Sequence, residues 1–155
     1  MRVKTLRFGK IEVSEGEIIT FPEGLLGFSE HKRYVILEPK EIAPLKWLQS
    51  IDSEWLAFVI VDPFIFARDY EFDVPEDCAR LLGMENHNDA VVYVILTVDD
   101  DPRKTTANLQ APIIISKRTR LAKQLVLVNG EYDIRYPVLR SEDLMEGESH
   151  AHPGP

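Results

Sequence analysis

Thr105-Thr106-Ala107-Asn108-Leu109-Gln110-Ala111-Pro112-Ile113-Ile114-Ile115 carries a polar, amide-bearing loop through a proline into three consecutive isoleucines. Pro112 has no N–H to give a ladder and pushes Ala111 toward extended geometry, so it belongs at a strand start, an edge or a bulge. Ile113 to Ile115 have the β-branched character of a strand buried on both faces. Asn108 and Gln110 each carry two donors and an acceptor beside apolar Leu109 and Ala111, so if buried they need partners. Two readings stay open for them: bracing of loop backbone at a corner of the fold, or contact with a partner.

Upstream, Ala90 to Val98 is the strongest strand in the chain, apolar except at Tyr93 and Thr97, and is expected at the centre of a sheet. Further strands are expected at Ile18–Phe21, Tyr34–Leu37, and the pair Trp47–Ile51 and Leu56–Val61 around Asp52-Ser53-Glu54. Gly9-Lys10, between Arg2–Phe8 and Ile11–Val13, predicts a tight hairpin. Leu25, Leu26 and Phe28, in the turn Pro22 to Phe28, are too apolar for a solvated loop; they fold back onto the core or present an apolar patch. Downstream, Gln124–Val128 and Tyr132–Tyr136 flank Asn129-Gly130, a strong hairpin signal.

From Asp62 to Pro75, alternation through Phe64, Phe66, Tyr70, Phe72 and Val74 predicts an extended segment with aromatics on one face and Asp69, Glu71 and Asp73 on the other. A short helix follows, with Pro75, Glu76 and Asp77 at its start, Gly83 at its end, and Cys78, Leu81 and Leu82 as its buried stripe. Many short strands and one or two short helices predict an all-β, antiparallel, barrel-like fold. Residues 1–139 read as a single domain, and the acidic, then Gly, Pro and His composition of 140–155 reads as a disordered tail.

Composition bounds the function. With 45% hydrophobic and 28% charged residues in 155, the chain is an ordinary globular one, and no apolar run approaches the roughly 18 residues that span a bilayer. The N-terminus carries no secretory pattern, so a cytoplasmic location is expected. Cys78 is the single cysteine, which excludes an internal disulfide and a thiolate zinc cluster. The net charge of -8 argues against a nucleic-acid backbone as direct ligand. Charge is also segregated. Asp69, Glu71, Asp73, Glu76, Asp77, Glu85, Asp89, Asp99, Asp100 and Asp101 face a single Arg80, whereas 103–140 is mainly basic. The acidic stretch could steer a basic partner.

No catalytic constellation stands out. His31, His87, His150 and His152 lack metal-ligand spacing, and Ser29, Ser50, Ser53 and Ser116 sit in no nucleophile elbow. The adjacent Asp99, Asp100 and Asp101 cannot all converge on one cation, and the spaced ligands of a calcium loop are missing. Neither a metal nor a cofactor is expected. Two rivals remain: a small-ligand enzyme using the mouth of a barrel, and a direct RNA binder using Lys117, Arg118, Arg120 and Lys123.

Asn108-Leu109-Gln110-Ala111-Pro112-Ile113, with Ile95-Leu96-Thr97-Val98, Leu56-Ala57-Phe58-Val59, Asp62-Pro63-Phe64, Asp69-Tyr70-Glu71-Phe72 and Phe21-Pro22-Glu23-Gly24-Leu25-Leu26-Gly27-Phe28, resembles the flagellar assembly factor FliW family, in order and over Val3 to Pro137. The resemblance implies a non-enzymatic regulator. Members of this family bind the basic, RNA-binding translational repressor CsrA, relieving repression of flagellin mRNA, and also bind flagellin, which takes the factor away from the repressor. A dedicated flagellin chaperone is the alternative. Within that frame Glu71, Asp73, Asp99, Asp100 and Asp101 are expected to steer the repressor, and Phe64, Phe66 and Tyr70 to supply buried contact. Asn108 and Gln110 match the family motif, with the two readings above still open.

Overall fold

The computed structural model describes residues 1–128 and 132–139. The Asn129-Gly130 turn and the expected tail at 140–155 lie outside the described residues. Among the described residues eleven strands form: β1 (Arg2–Thr5), β2 (Gly9–Glu12), β3 (Ile19–Thr20), β4 (Arg33–Leu37), β5 (Lys46–Ser50), β6 (Ala57–Val61), β7 (Ala90–Thr97), β8 (Thr106–Ala107), β9 (Ile113–Ser116), β10 (Ala122–Gln124) and β11 (Tyr136–Pro137). β1 and β2 make a separate hairpin; the others form one sheet in the order β10-β9-β7-β6-β5-β4-β3, with β8 also on β7 and β11 on β8. Every strand pairing is antiparallel. The all-β expectation holds, with one short α-helix among the described residues, α1 (Glu76–Leu81), and isolated 3₁₀ turns.

The sheet curls until its edges touch at one parallel bridge, Thr20 to Leu121, where the Thr20 N–H donates to the Arg120 carbonyl at 3.0 Å. No continuous ladder closes it, so the barrel is an open sheet joined at a single point. Inside the curl pack Ile19, Tyr34, Leu48, Ile60, Ile113 and Ile115, all buried. Because side chains alternate along a strand, the same strands turn an apolar set outward. Val35 meets Val3 and Val13 of the hairpin segment, Ile114 meets Cys78 of α1 and Leu82 just past its end, and Val61, Val94 and Leu96 meet the aromatic segment 66–72. Both faces are covered, which explains why the isoleucine run has no polar interruption.

The stretch from Thr105 to Ile115 is one interrupted strand on a single edge of β7. Leu96 pairs with Ala107 and Tyr93 with Ile113, so two residues on β7 oppose the five of Asn108–Pro112. The surplus bulges outward, and Pro112 sits where the ladder resumes. On its other side the stretch receives Leu127 N–H at the Gln110 carbonyl and Leu125 N–H at the Pro112 carbonyl, each at 2.8 Å. Leu109 N–H donates to the Asp133 carbonyl at 3.0 Å.

Four expectations are corrected. The first hairpin turns at Leu6-Arg7-Phe8, and Gly9-Lys10 lies inside β2, opposite Thr5 and Lys4; the Thr5 hydroxyl receives the Phe8 N–H at 2.8 Å and closes that turn. The alternating segment 62–75 is not a strand. Asp62 receives the Phe64 N–H, Pro63 opens a 3₁₀ turn, and Ala67 N–H donates to the Pro63 carbonyl at 2.8 Å, so turn chemistry overrides the alternation. Of the expected helical stripe, Cys78 in α1 and Leu82 just past its end are buried, but Leu81 is exposed. Finally, β11 pairs with β8 and not with Gln124–Val128, because the Thr105–Ile115 stretch offers both segments a longer-range partner. The turn Pro22 to Phe28 does fold back, burying Leu25 and packing Phe28 on the core, while Leu26 stays exposed.

Candidate partner-binding surface

Tyr70 organises the surface that carries half of the expected site, namely Phe64, Phe66, Tyr70 itself, Glu71 and Asp73. Its ring lies 4.7 Å from Tyr132, edge to face, 5.3 Å from Phe72 and 6.0 Å from Phe64. Phe66 stacks 5.9 Å from Tyr136 in the same cluster. The Tyr70 hydroxyl donates to the Leu109 carbonyl at 2.6 Å, and burial pushes its pKa well above that of a free phenol, with the neighbouring Tyr132 adding to the shift. Glu71 is held by its backbone: its N–H donates to the Tyr132 hydroxyl at 3.1 Å, and that hydroxyl donates to the Glu71 carbonyl at 2.9 Å. Its carboxylate and that of Asp73 are exposed and have no ion-pair partner among the described residues.

Concave surface surrounds this cluster. A cavity of about 770 Å³ is walled by Val61, Phe66, Tyr70, Leu109 and Tyr136. A second, of about 530 Å³, runs to Tyr93 and the paired Glu38 and Lys46, and the two share Pro44, Leu45 and Ile65. Phe64 and Ile65 stand 44% and 53% exposed on the wall of the second, more than core aromatics and isoleucines are. A third, of about 390 Å³, lies between Glu71-Phe72-Asp73 and Leu125–Val128. Apolar walls beside unpaired carboxylates suit a protein partner that presents apolar groups within a basic surround.

The other expected acids sit elsewhere. Asp99, Asp100 and Asp101 make the connection after β7. Asp99 receives the Asp101 N–H at 2.9 Å, and Asp101 caps the following 3₁₀ turn and grips the Arg103 guanidinium at 3.1 Å. That guanidinium holds the Asp101 carboxyl below the usual range. Asp100 is left exposed, as is Asp99.

Asn108 is half-buried, and its side-chain oxygen receives the N–H groups of Gln110 and Ala111, both at 3.1 Å. Gln110 is half-buried and gives its carbonyl to Leu127. Three contributors escaped the sequence reading. Tyr132 and Tyr136 read only as hairpin residues, since nothing local announces that they fold onto Tyr70 and Phe66. Gln124, buried, spans two loops by receiving the Leu26 N–H at 2.9 Å and donating to the Ala111 carbonyl at 3.1 Å. Set between Lys123 and Leu125, Gln124 gives no local sign of this role.

Toward the rival functions the structure is less accommodating. Arg118 donates to the Gly83 carbonyl, Arg120 to the Glu17 carbonyl, and Lys123 pairs with Glu23, so the basic turn is tied into the fold. His31 Nδ1 lies 3.1 Å from the Ser53 hydroxyl, but no carboxylate orients the ring among the described residues. Burial pushes the Cys78 thiol up, away from a reactive thiolate. No group of three or more His, Cys, Asp or Glu among the described residues could hold a metal ion, and none of their helices is long and apolar enough to cross a membrane. What remains is an antiparallel β protein whose distinctive surface is apolar and acidic.

Comparison with known proteins names the family. The family model described as "FliW protein" matches residues 2–138. The chain is 40% identical over 152 residues to the flagellar assembly factor FliW of Thermoanaerobacter pseudethanolicus, covering 97% of this chain and 100% of the relative. It is 44% identical over 138 residues to that of Bacillus subtilis, covering 89% and 96%. A crystal structure of the flagellar assembly factor FliW superposes with a TM-score of 0.86 at 37% identity, covering 92% of this chain and 99% of that one. The chain belongs to the FliW family.

Proposed function

We propose that this protein is a non-enzymatic flagellar assembly factor of the cytoplasm that binds the translational repressor CsrA, relieving repression of flagellin mRNA, and exchanges that partner for flagellin. Its relatives carry the name flagellar assembly factor. The observation that carries the reading is the pair of exposed carboxylates, Glu71 and Asp73, with no ion-pair partner among the described residues, beside the Tyr70 cluster and its cavities. A basic RNA-binding protein is attracted by such a surface, and apolar groups docked against Phe64 and Ile65 slow its departure. Partner choice then follows the concentration of free flagellin.

Calorimetric titration with CsrA from the same source, before and after saturation with flagellin, tests this. Binding that flagellin abolishes is the expected result. Binding that flagellin leaves intact would separate the two sites, and no binding of CsrA would return the protein to the role of a dedicated flagellin chaperone.

A further inference from the structure

The single bridge between Thr20 and Leu121 leaves a seam, and the far side of that seam is an unfinished strand. β10 continues its pairing beyond Gln124, since Leu125 and Leu127 donate to the Pro112 and Gln110 carbonyls. Backbone groups alternate sides along an extended chain, so Val126 directs its N–H and C=O groups to the opposite edge, while Val128 lies in the turn that follows. Among the described residues nothing hydrogen-bonds to these Val126 groups. The loop after β3 returns only as far as Gln124, through the Leu26 N–H. Val126 and Val128 are 45% and 92% exposed, and an apolar open edge of this kind is normally blocked by lysine or proline. Exposed Leu26 extends the apolar surface on one side, across a cavity of about 360 Å³. Glu71 and Asp73 border it on the other, across the cavity of about 390 Å³.

We propose that the edge from Leu125 to Val128 accepts an extended peptide of alternating apolar and basic residues as an added strand. Main-chain hydrogen bonds to the Val126 N–H and C=O hold the peptide, its apolar side chains cover Val126, Val128 and Leu26, and its basic side chains meet Glu71 and Asp73. The proposal rests on the reading that Glu71 and Asp73 belong to the partner-binding surface, and adds the backbone mode by which a partner segment is held.

The test uses the full chain and a fluorescein-labelled Lys-Val-Lys-Val-Lys-Val peptide, followed by fluorescence anisotropy. Two further versions carry N-methyl groups on the lysines or on the valines. Strand addition in one register uses the N–H groups of only one set, so one version loses about tenfold in affinity and the other nothing, the loss of one or two backbone hydrogen bonds. A Glu-Val peptide of the same length does not bind. Val126→Pro removes an outward N–H that the fold does not use and reproduces the loss. Should that variant melt early, slowed amide exchange at Val126 in the wild-type complex serves in its place. Equal binding by both methylated versions, or no binding of the Lys-Val peptide, overturns the proposal. If the peptide fails while full-length partners still bind and depend on Glu71 and Asp73, strand addition falls and the partner-binding surface stands.

Discussion

Tyr70 and Leu109 are 39 residues apart in sequence and joined by a 2.6 Å hydrogen bond from phenol to carbonyl, buried at both ends. This bond pins the irregular segment 66–72 onto the bulge that interrupts the strand beside β7. Tyr70→Phe keeps the ring packing on Tyr132 and leaves a buried carbonyl without its donor. The expected cost is about 1–3 kcal/mol in urea unfolding with an unchanged m-value. A loss under about 0.5 kcal/mol would show that the bond contributes little beyond what water supplies in the unfolded chain.

Tyr34 is the contrasting case. It is fully buried inside the curled sheet, edge to face with Phe21 at 5.2 Å, and its hydroxyl has no hydrogen-bond partner among the described residues. Burial, with the charge of Asp52 as a lesser cause, pushes its pKa from 10.0 up to about 12. The unfolded chain therefore loses this proton first. This group leaves stability unchanged below pH 10, and lowers it as pH rises from 10 toward 12, by about 3 kcal/mol in all. Tyr34→Phe should remove this part of the alkaline sensitivity. At pH 7 it should be neutral or stabilising by about 1 kcal/mol, since it removes a buried polar group that lacks a partner. Melting curves between pH 7 and 11.5 for the two proteins decide the matter: parallel alkaline losses would refute it.

What the sequence made legible follows from the range over which each element is decided. Ile113–Ile115 and Ala90–Thr97 announce buried strands because β-branched runs need no partner to be recognised. Pro75, Glu76 and Gly83 announce the helix because its end signals are local; Gly83 adopts φ +67° just past its end, where an L side chain would be strained. The segment from Phe64 to Val74 misled because its period-two alternation is real, yet Asp62 and Pro63 commit the chain to a turn before any strand partner is reached. Tyr132 and Tyr136 misled for the opposite reason. Their local pattern suits a hairpin, but Ala107 and Asp133 decide the pairing across the bulge. At the surface, Glu71, Asp73, Phe64 and Tyr70 were visible as residue types, whereas their assembly around Tyr132 depends on a contact 61 residues distant.

Asn108 offers a way to separate bracing from contact. Its side-chain oxygen receives two backbone N–H groups, while its amide nitrogen makes no hydrogen bond among the described residues. Asn108→Asp keeps the acceptor and should unfold within about 0.5 kcal/mol of wild type. Asn108→Ala strips both N–H groups of their partner and should cost about 1–2 kcal/mol. Partner affinity measured on both variants completes the test. If the aspartate variant is stable yet binds CsrA or flagellin more weakly, the residue touches a partner; affinity that stays level assigns Asn108 to the fold.

Steering and docking should separate kinetically on the two parts of the candidate surface. Glu71 and Asp73 are exposed and have no ion-pair partner among the described residues, so reversing both to lysine leaves stability nearly unchanged. It should lower the association rate with CsrA roughly tenfold at low salt, with the difference shrinking as salt screens the charges. Asp100→Lys asks the same of the turn after β7 without disturbing Asp101, whose carboxylate is engaged with Arg103. Replacing Phe64 and Ile65 by alanine removes exposed apolar groups and should raise the dissociation rate while association stays within about twofold. Stopped-flow association and surface-plasmon dissociation, run at two salt concentrations, read the two effects independently. If the acidic reversal changes dissociation alone, or the apolar truncation changes association alone, the division of labour between Glu71 and Phe64 is wrong.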